Sequence, residues 1–286
     1  MNTRFVPGRR QALAALGLAA ASPWLANAQQ NAGPYVPTPW LIVYEMLKLA
    51  DIRADDFVID LGSGDGRIVL TAATRRKASG MGVDIDPELV DLSNASARKL
   101  GVADRVRFIR QDVFAADLSR TTVLTLYLLP GMMQSLRPKL LAELKPGTRV
   151  VSHDFTFDLW KPDRTVTVQT DEKYEITGSW TSDVHLWIVP AAVQGTWRIT
   201  RAGGDGAPSR LEIRQGFQHF EGRLASDDRA VELKDGRLDG ARLSFNVTLG
   251  DGRREWYSGT VDRDEIKGEV RDGETVLARW RATRVP

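Results

Sequence analysis

A short run containing acids and three glycines is the segment of this sequence best suited to chemistry. Residues Asp60 to Gly66 read D-L-G-S-G-D-G and follow an apolar stretch directly. This pattern predicts a strand, a tight turn and the start of a helix, where unpaired backbone N–H groups face a ligand. Glycine lets the backbone approach that ligand closely and adopt positive φ angles. We therefore predict that Gly62, Gly64 and Gly66 form a nucleotide-binding turn.

Two later acids indicate which kind of nucleotide. Asp84 ends the second predicted strand, where a carboxylate can accept both hydroxyls of a ribose, and Asp112 follows the third, where it can reach the amine of adenine. Each acid alone is equally well explained as a helix N-cap, but three at successive strand ends favour a binding site. The spacing G-x-G-x-G differs from the dinucleotide pattern G-x-G-x-x-G, which argues against NAD and FAD.

The elements that position these residues alternate in type. From Thr38 to about Pro190, short β-branched runs alternate with helical patterns, which predicts an α/β, Rossmann-like parallel sheet covered by helices. The predicted strands are Phe57–Asp60, Gly80–Asp84, Val106–Arg110, Val123–Tyr127 and Arg149–His153, and the predicted helices are Trp40–Leu49, Gly66–Arg75, Pro87–Leu100 and Met132–Leu144.

The remainder of the chain has a different pattern. Short alternating runs separated by Gly, Asp and Asn predict about eight antiparallel strands, and hence an all-β barrel or sandwich, lipocalin-like or a meander, over residues 191–286. The segments Trp197 to Arg201 and Trp280 to Arg284 nearly repeat each other. This similarity predicts that the first and last strands of this half pair to close a barrel.

The first 28 residues resemble a signal peptide. Arginines precede an apolar stretch from Ala12 to Ala21, and small residues at 26–28 suit signal peptidase. Adjacent Arg9 and Arg10 resemble a twin-arginine signal. We predict a periplasmic or exported protein, or a cytoplasmic one if the segment is not used as a signal. The stretch is short for a bilayer span, and no later segment is apolar enough, so no stable membrane span is expected in the mature chain.

Composition excludes several other functions. The net charge is +2 without a concentrated basic patch, so we expect no nucleic-acid partner. The absence of cysteine excludes disulfides and thiolate metal sites. Because His153, His185 and His219 are far apart in the sequence and form no cluster with the spacing of metal ligands, we predict no metal site. The sequence leaves the oligomeric state open.

Taken together, these motifs resemble those of class I methyltransferases, which use S-adenosylmethionine (SAM). Residues 34–38 (P-Y-V-P-T), 60–70 and 149–152 (R-V-V-S) are most similar to the seven-strand lysine methyltransferases, especially the family that includes the mitochondrial enzyme modifying the ATP synthase c subunit. The resemblance makes residues 29–190 a methyltransferase domain. It implies a SAM site formed by Tyr35, Thr38, Asp60, Gly62, Gly64, Gly66, Asp84, Asp112 and Val113. For Tyr35 and Thr38, a hydrophobic staple and an N-cap are the alternative.

The acceptor side is less clearly marked. The fourth strand ends in Leu126 to Pro130 without the amide that many amine methyltransferases place there. Tyr127 is predicted to line the acceptor site, and His153 with Asp154 to accept a proton, unless these side chains are structural. The resemblance implies methylation of a protein lysine. A small-molecule methyltransferase, or an exported binding protein with an inactive methyltransferase fold, is the alternative.

Overall fold

The computed structural model describes residues 35–202, 209–226 and 229–286, so the predicted signal peptide at 1–28 lies outside the described residues. The first half contains seven strands: β1 (Phe57–Leu61), β2 (Ser79–Asp84), β3 (Val106–Arg110), β4 (Val123–Leu126), β5 (Arg149–His153), β6 (Arg164–Gln169) and β7 (Thr181–Ile188). Its helices are α1 (Trp40–Leu49), α2 (Arg67–Thr71), α3 (Pro87–Lys99), α4 (Pro130–Glu143) and α5 (Asp171–Thr177). No helix in these ranges is long and apolar enough to cross a bilayer.

The seven strands form one mixed sheet in the order β3-β2-β1-β4-β5-β7-β6. Strands β1 to β5 are parallel, and β7 runs antiparallel between β5 and β6. The strand order changes direction at β1, which lies between β2 and β4. A crevice is expected at the carboxyl ends of the strands at such a switch point. The predicted Rossmann-like sheet is therefore confirmed. Asp60 near the end of β1, Asp84 at the end of β2 and Asp112 just after β3 share one edge of it.

Local sequence explains where the helices beside the crevice begin. Asp86 caps α3 by accepting a hydrogen bond from the backbone of Glu88 at 2.8 Å, and Pro87 occupies the first turn. Helix α2 is shorter than predicted, because a single π-helical turn over Ala72–Arg76 replaces its second half. Residues 164–188, for which the sequence pattern predicts no element, form β6, α5 and β7. β6 is an edge strand with mostly exposed side chains, and α5 has only seven residues, so neither carries a strong apolar pattern.

The second half is a closed antiparallel barrel. Its strands are β8 (Gly195–Arg201), β9 (Ser209–Gly216), β10 (His219–Ser226), β11 (Arg229–Glu232), β12 (Lys234–Asp239), β13 (Arg242–Thr248), β14 (Arg254–Asp262), β15 (Glu265–Asp272) and β16 (Thr275–Arg284). The ring runs from β10 through β12 to β16 and then through β8 to β9, which pairs with β10. Strand β11 lies on the same edge of β10 as β12 and pairs with its other end. As predicted, β8 pairs with β16, with Trp197 opposite Arg284 and Arg201 opposite Trp280.

Aromatic side chains fill the barrel interior. Trp197, Phe245, Tyr257 and Trp280 are all buried, and the rings of Phe245 and Tyr257 stack with their centroids 4.6 Å apart. Packing of this kind is a hydrophobic core. The aromatic side chains thus occupy the space in which a lipocalin-like barrel would hold a ligand.

The turn between β9 and β10 packs against the first half. Phe217 stacks on Trp160, with centroids 6.1 Å apart, and Gln218 donates hydrogen bonds to the carbonyl of Lys161 and to Asp163. Trp160 itself belongs to the main core of the sheet. The barrel therefore supports the loop after β5, which begins beside the crevice.

Candidate functional site

A cavity of about 230 Å³ lies at the carboxyl ends of β1 to β4. The predicted cofactor residues that line it are Tyr35, Thr38, Asp60, Gly62, Gly64, Asp84, Asp112 and Val113, and the predicted acceptor residue Tyr127 lines it as well. Gly66 is the N-cap of α2, and both Gly66 and Asp154 are outside the lining of the cavity. Sequence reasoning missed other lining residues, among them Gln111, Leu128 and Met132. Their types carry no chemical signal that would have identified them.

Asp84 holds the glycine turn in place. One carboxylate oxygen, Oδ2, accepts a hydrogen bond from the backbone N–H of Gly64 at 2.8 Å, and Oδ1 accepts one from Asp86 at 3.0 Å. A carboxylate has about four acceptor positions, so lone pairs are left for a ligand on the cavity side. Asp112 is used similarly, since its Oδ1 accepts from the backbone of Phe114 at 2.9 Å. Both acids thus shape the turns on which they sit, and both remain able to accept ribose or adenine groups.

Tyr35 covers the glycine turn. A Cβ atom added to Gly64, which has φ of +53°, would lie 2.4 Å from the Tyr35 ring. The loop carrying Tyr35 is fastened to α2, because Arg67 donates to the carbonyl of Thr38 at 2.8 Å while forming an ion pair with Asp65 at 2.7 Å. Burial and then the charge of Asp65 raise the pKa of Tyr35, which keeps its phenol neutral. The loop before α1 therefore closes one end of the cavity.

Asp60 provides a buried anion at the base of the cavity. It is 2 % exposed, and its Oδ1 accepts a hydrogen bond from the Thr125 hydroxyl at 2.7 Å. Burial, with smaller contributions from the negative charges of Asp84 and Asp65, raises the pKa of Asp60 to about 7. A buried carboxylate under these conditions is stabilised by a cation. The methionine end of SAM carries an α-ammonium group and a sulfonium, so a buried carboxylate at the base of the cavity fits this cofactor.

We expect the affinity for the cofactor to increase as the pH rises from about 6 to 7.5. The free protein holds a proton on Asp60 below about pH 7, whereas a bound ammonium group lowers that pKa and expels the proton. The affinity gained from the ionised form is consequently lost as the pH falls through 7, by up to about tenfold per pH unit. Calorimetric titration with S-adenosylhomocysteine between pH 5.5 and 8.5, in two buffers of different ionisation enthalpy, measures both the affinity and the proton released.

Asp60→Asn is the control for this prediction. It should bind the ligand more weakly and without pH dependence over the same range. The amide should also stabilise the free protein at pH 8, because the raised pKa of Asp60 makes the ionised acid unfavourable in the folded state above pH 7. A pH-independent affinity in the unsubstituted protein would contradict a contact between Asp60 and the ligand's ammonium group.

The acceptor side of the cavity is aromatic. Tyr127 lies against His153, with ring centroids 3.9 Å apart, and stacks with Phe155 at 6.0 Å. The His153 ring nitrogens contact the hydroxyls of Ser182 at 2.9 Å and Thr38 at 3.4 Å. Burial lowers the pKa of His153 to about 4, so the ring is neutral near pH 7 and is a weak base. His153 thus serves here mainly as packing for Tyr127.

Asp154 forms an ion pair with a lysine that sequence reasoning missed. Its carboxylate accepts from the ammonium of Lys173 and, through Oδ1, from the backbone of Asp183 at 3.1 Å. An ammonium group therefore already neutralises the side chain predicted to accept a proton, and the catalytic roles of Tyr127 and Asp154 stay predictions. Lys173 lies in the short helix α5, which has no sequence feature that would select it. No group of His, Asp or Glu able to hold a metal occurs within the described ranges.

Comparison with protein families gives a match to the ANTKMT methyltransferase domain over residues 60–164. The protein-lysine N-methyltransferase of Saccharolobus islandicus is 41% identical over 159 residues, which is 54% of this chain and 93% of that protein. The adenine nucleotide translocase lysine N-methyltransferase of Mus musculus is 37% identical over 152 residues, which is 53% of this chain and 63% of that protein.

A solved structure with a similar sequence also contains a ligand. It is an RNA methyltransferase from Salinibacter ruber in complex with S-adenosylhomocysteine, 48% identical, which covers 55% of this chain and 96% of its own at a TM-score of 0.50. S-adenosylhomocysteine is the product that SAM leaves after methyl transfer, so this neighbour supports SAM as the cofactor. The chain belongs to the seven-strand lysine methyltransferase family and is a SAM-dependent methyltransferase.

Proposed function

We propose that this enzyme transfers a methyl group from SAM to the side-chain amine of a lysine in a protein. The observation that carries this proposal is the aromatic wall of the cavity, where Tyr127 lies against the neutral ring of His153. An aromatic wall backed by a neutral ring suits an amine that must lose its charge before it reacts. The 41% identity to a protein-lysine N-methyltransferase over nearly its whole length supports the same acceptor.

The chain's own residues have two tasks in such a reaction. SAM supplies an electrophilic methyl group, and the protein aligns the acceptor with it and excludes water. The glycine turn, tied down by Asp84, holds the cofactor end of the cavity. At the other end, a lysine ammonium with an ordinary pKa near 10.4 costs about 4 to 5 kcal/mol to deprotonate at pH 7. Desolvation against Tyr127 and its aromatic neighbours lowers that cost.

Negative charge on helix α5 favours a cationic acceptor over RNA. Helix α5 exposes Asp171 and Glu175, and Glu172 accepts a hydrogen bond from the backbone of Trp40 at 2.8 Å, two residues from the cavity residue Thr38. These carboxylates attract a lysine side chain and repel a phosphate backbone. An RNA acceptor nonetheless stays a defined outcome of the test, because the Salinibacter ruber protein is described as an RNA methyltransferase.

We also propose, on the sequence pattern alone, that residues 1–28 direct export and that residues 29–190 and 191–286 are the two domains of the mature chain. A twin-arginine route would export the enzyme folded, with SAM already bound. Replacing Arg9 and Arg10 with lysine in a fusion to a periplasmic reporter tests the route. Loss of reporter export is expected, and unchanged export would contradict a twin-arginine signal.

Acceptor profiling tests the proposed reaction. The full-length protein is incubated with SAM labelled on its methyl group and, separately, with protein, RNA and small-molecule fractions of a cell extract. The labelled products are then hydrolysed and analysed. We expect label in the protein fraction, recovered as Nε-methyllysine, and none when Asp84→Ala replaces the unsubstituted protein. Label confined to RNA or to the small-molecule fraction would overturn the assignment of a protein lysine.

A further inference from the structure

Lys173 is a buried charge for which the proposed reaction has so far given no role. Its side chain is 4 % exposed, and its ammonium forms an ion pair with Asp154. Asp154 is itself fixed, because it has φ of +60° and accepts from the backbone of Asp183. Burying a lysine is costly even when it is paired. Burial in this place therefore suggests a use beyond stability.

The ammonium of Lys173 also lies beside the acceptor wall. Its Nζ is 5.7 Å from the centroid of the Tyr127 ring, and Tyr127 lines the cavity together with Thr38. Helix α5 thus brings a fixed positive charge to within one aromatic ring of the place where an acceptor amine would lie. The same charge lowers the pKa of Tyr127 somewhat, against the larger rise caused by burial.

Asp154 offsets only part of the Lys173 charge at Tyr127, because the charge of Lys173 lowers the pKa of Tyr127 more than the charge of Asp154 raises it. The other titratable groups around Lys173 come from two strands. Strand β5 and the loop after it provide His153, which is neutral, and Asp154, and strand β7 provides Asp183 and His185. The Asp183 carboxylate accepts from the Thr167 hydroxyl at 2.6 Å, and a ring nitrogen of His185 contacts the Asp154 carbonyl at 3.3 Å. Glu172, on the same helix, accepts a hydrogen bond from the backbone N–H of Trp40. Within the described residues, Asp154 is the carboxylate paired with Lys173.

We propose that Lys173 is a positioning residue that holds Tyr127 and makes the acceptor lysine bind as the neutral amine. Two ammonium groups separated by little more than a ring repel each other in a site that excludes water. The acceptor therefore gives its proton to solvent, after which its lone pair forms the N–C bond while the S–C bond breaks and leaves its electron pair on sulfur. This inference rests on the proposed lysine acceptor, since a hydroxyl or carbon acceptor would have no such proton to lose.

The test is the pH dependence of kcat for methylation of a lysine-containing protein acceptor. The double variant Lys173→Met with Asp154→Asn removes both charges, which avoids leaving an unpaired buried carboxylate. We expect the acidic limb of the kcat profile to move up by about one pH unit, which corresponds to about a tenfold lower kcat at pH 7 and to about 1.36 kcal/mol. At pH 10, kcat should return to nearly its unsubstituted value, and the affinity for SAM should not change.

Two further variants separate charge from packing. Lys173→Arg keeps the positive charge and should leave the limb where it is. The double variant Arg149→Met with Asp56→Asn removes an ion pair with a similarly buried carboxylate at the opposite end of the sheet, and should leave the kcat profile unchanged. Thermal melts establish that each protein is folded.

Two results would contradict the inference. A uniform loss of kcat at every pH in the Lys173 and Asp154 double variant would show a purely structural role. An acidic limb of the kcat profile at the same pH as in the unsubstituted enzyme would show that the charge has no effect on the acceptor. If the unsubstituted enzyme methylates no lysine at any pH, the proposed function fails instead. The unsubstituted protein therefore distinguishes the two failures.

Discussion

Asp84→Ala is expected to weaken SAM binding by about 100-fold or more. The substitution removes the hydrogen bonds that hold Gly64 and Asp86, and it removes the carboxylate predicted to accept the ribose hydroxyls. Hydrogen bonds to a charged group contribute about 1.5 to 3 kcal/mol each, and about 2.7 kcal/mol corresponds to a 100-fold change in affinity. Equilibrium dialysis with radiolabelled SAM measures the dissociation constant.

Asp117→Ala is the matched control for this substitution. Asp117 also fixes a turn with its carboxylate, by accepting from the backbone of Ser119 at 2.9 Å, but it lies outside the lining of the cavity. Its loss should leave the affinity for SAM unchanged. Undiminished binding by a folded Asp84→Ala protein would overturn the assignment of the ribose end of the site.

Gly64→Ala should weaken SAM binding by about tenfold or more. An alanine at φ of +53° is strained by roughly 1 to 2 kcal/mol, and its Cβ would meet the Tyr35 ring at 2.4 Å. Because Tyr35 is about half exposed, its ring can swing away from the turn, which would open the end of the cavity that it closes. Calorimetric titration with S-adenosylhomocysteine and a thermal melt measure the two consequences separately.

Gly101→Ala separates backbone strain from this steric effect. Gly101 has φ of +66°, and a Cβ there would meet nothing within 4 Å. This variant should lose stability to a similar degree and bind the ligand normally. Equal weakening of binding by both substitutions would show that Tyr35 does not cover the ligand.

The cofactor side of the site is predictable from the sequence because it depends on short-range patterns. In a parallel sheet, the acids that follow successive strands must meet at one edge, so strand assignment alone groups Asp60, Asp84 and Asp112. The near repeat around Trp197 and Trp280 likewise predicts that β8 pairs with β16. The alternating run from Ala230 to Lys234 predicts one strand, and the structure interrupts it only at the buried Leu233, which lies between β11 and β12.

The acceptor side is less predictable because its chemistry depends on burial. The sequence suggests His153 as a proton acceptor, but burial lowers its pKa to about 4. The sequence does not mark Lys173 as a site residue, because its side chain reaches Asp154 and Tyr127 only through the fold of α5 and β7. A seven-residue helix with one buried lysine has no distinctive sequence pattern, so its contribution to the site becomes visible only in three dimensions.

Binding of SAM in the cavity at the carboxyl ends of β1 to β4 is the property on which every other expectation for this enzyme depends. Calorimetric titration of the full-length protein with SAM, and with S-adenosylhomocysteine, tests it most directly. We predict one binding site per chain with a dissociation constant in the micromolar range. Absence of binding heat at several temperatures, in a protein shown by its thermal melt to be folded, would contradict the assignment of this cavity as the SAM site.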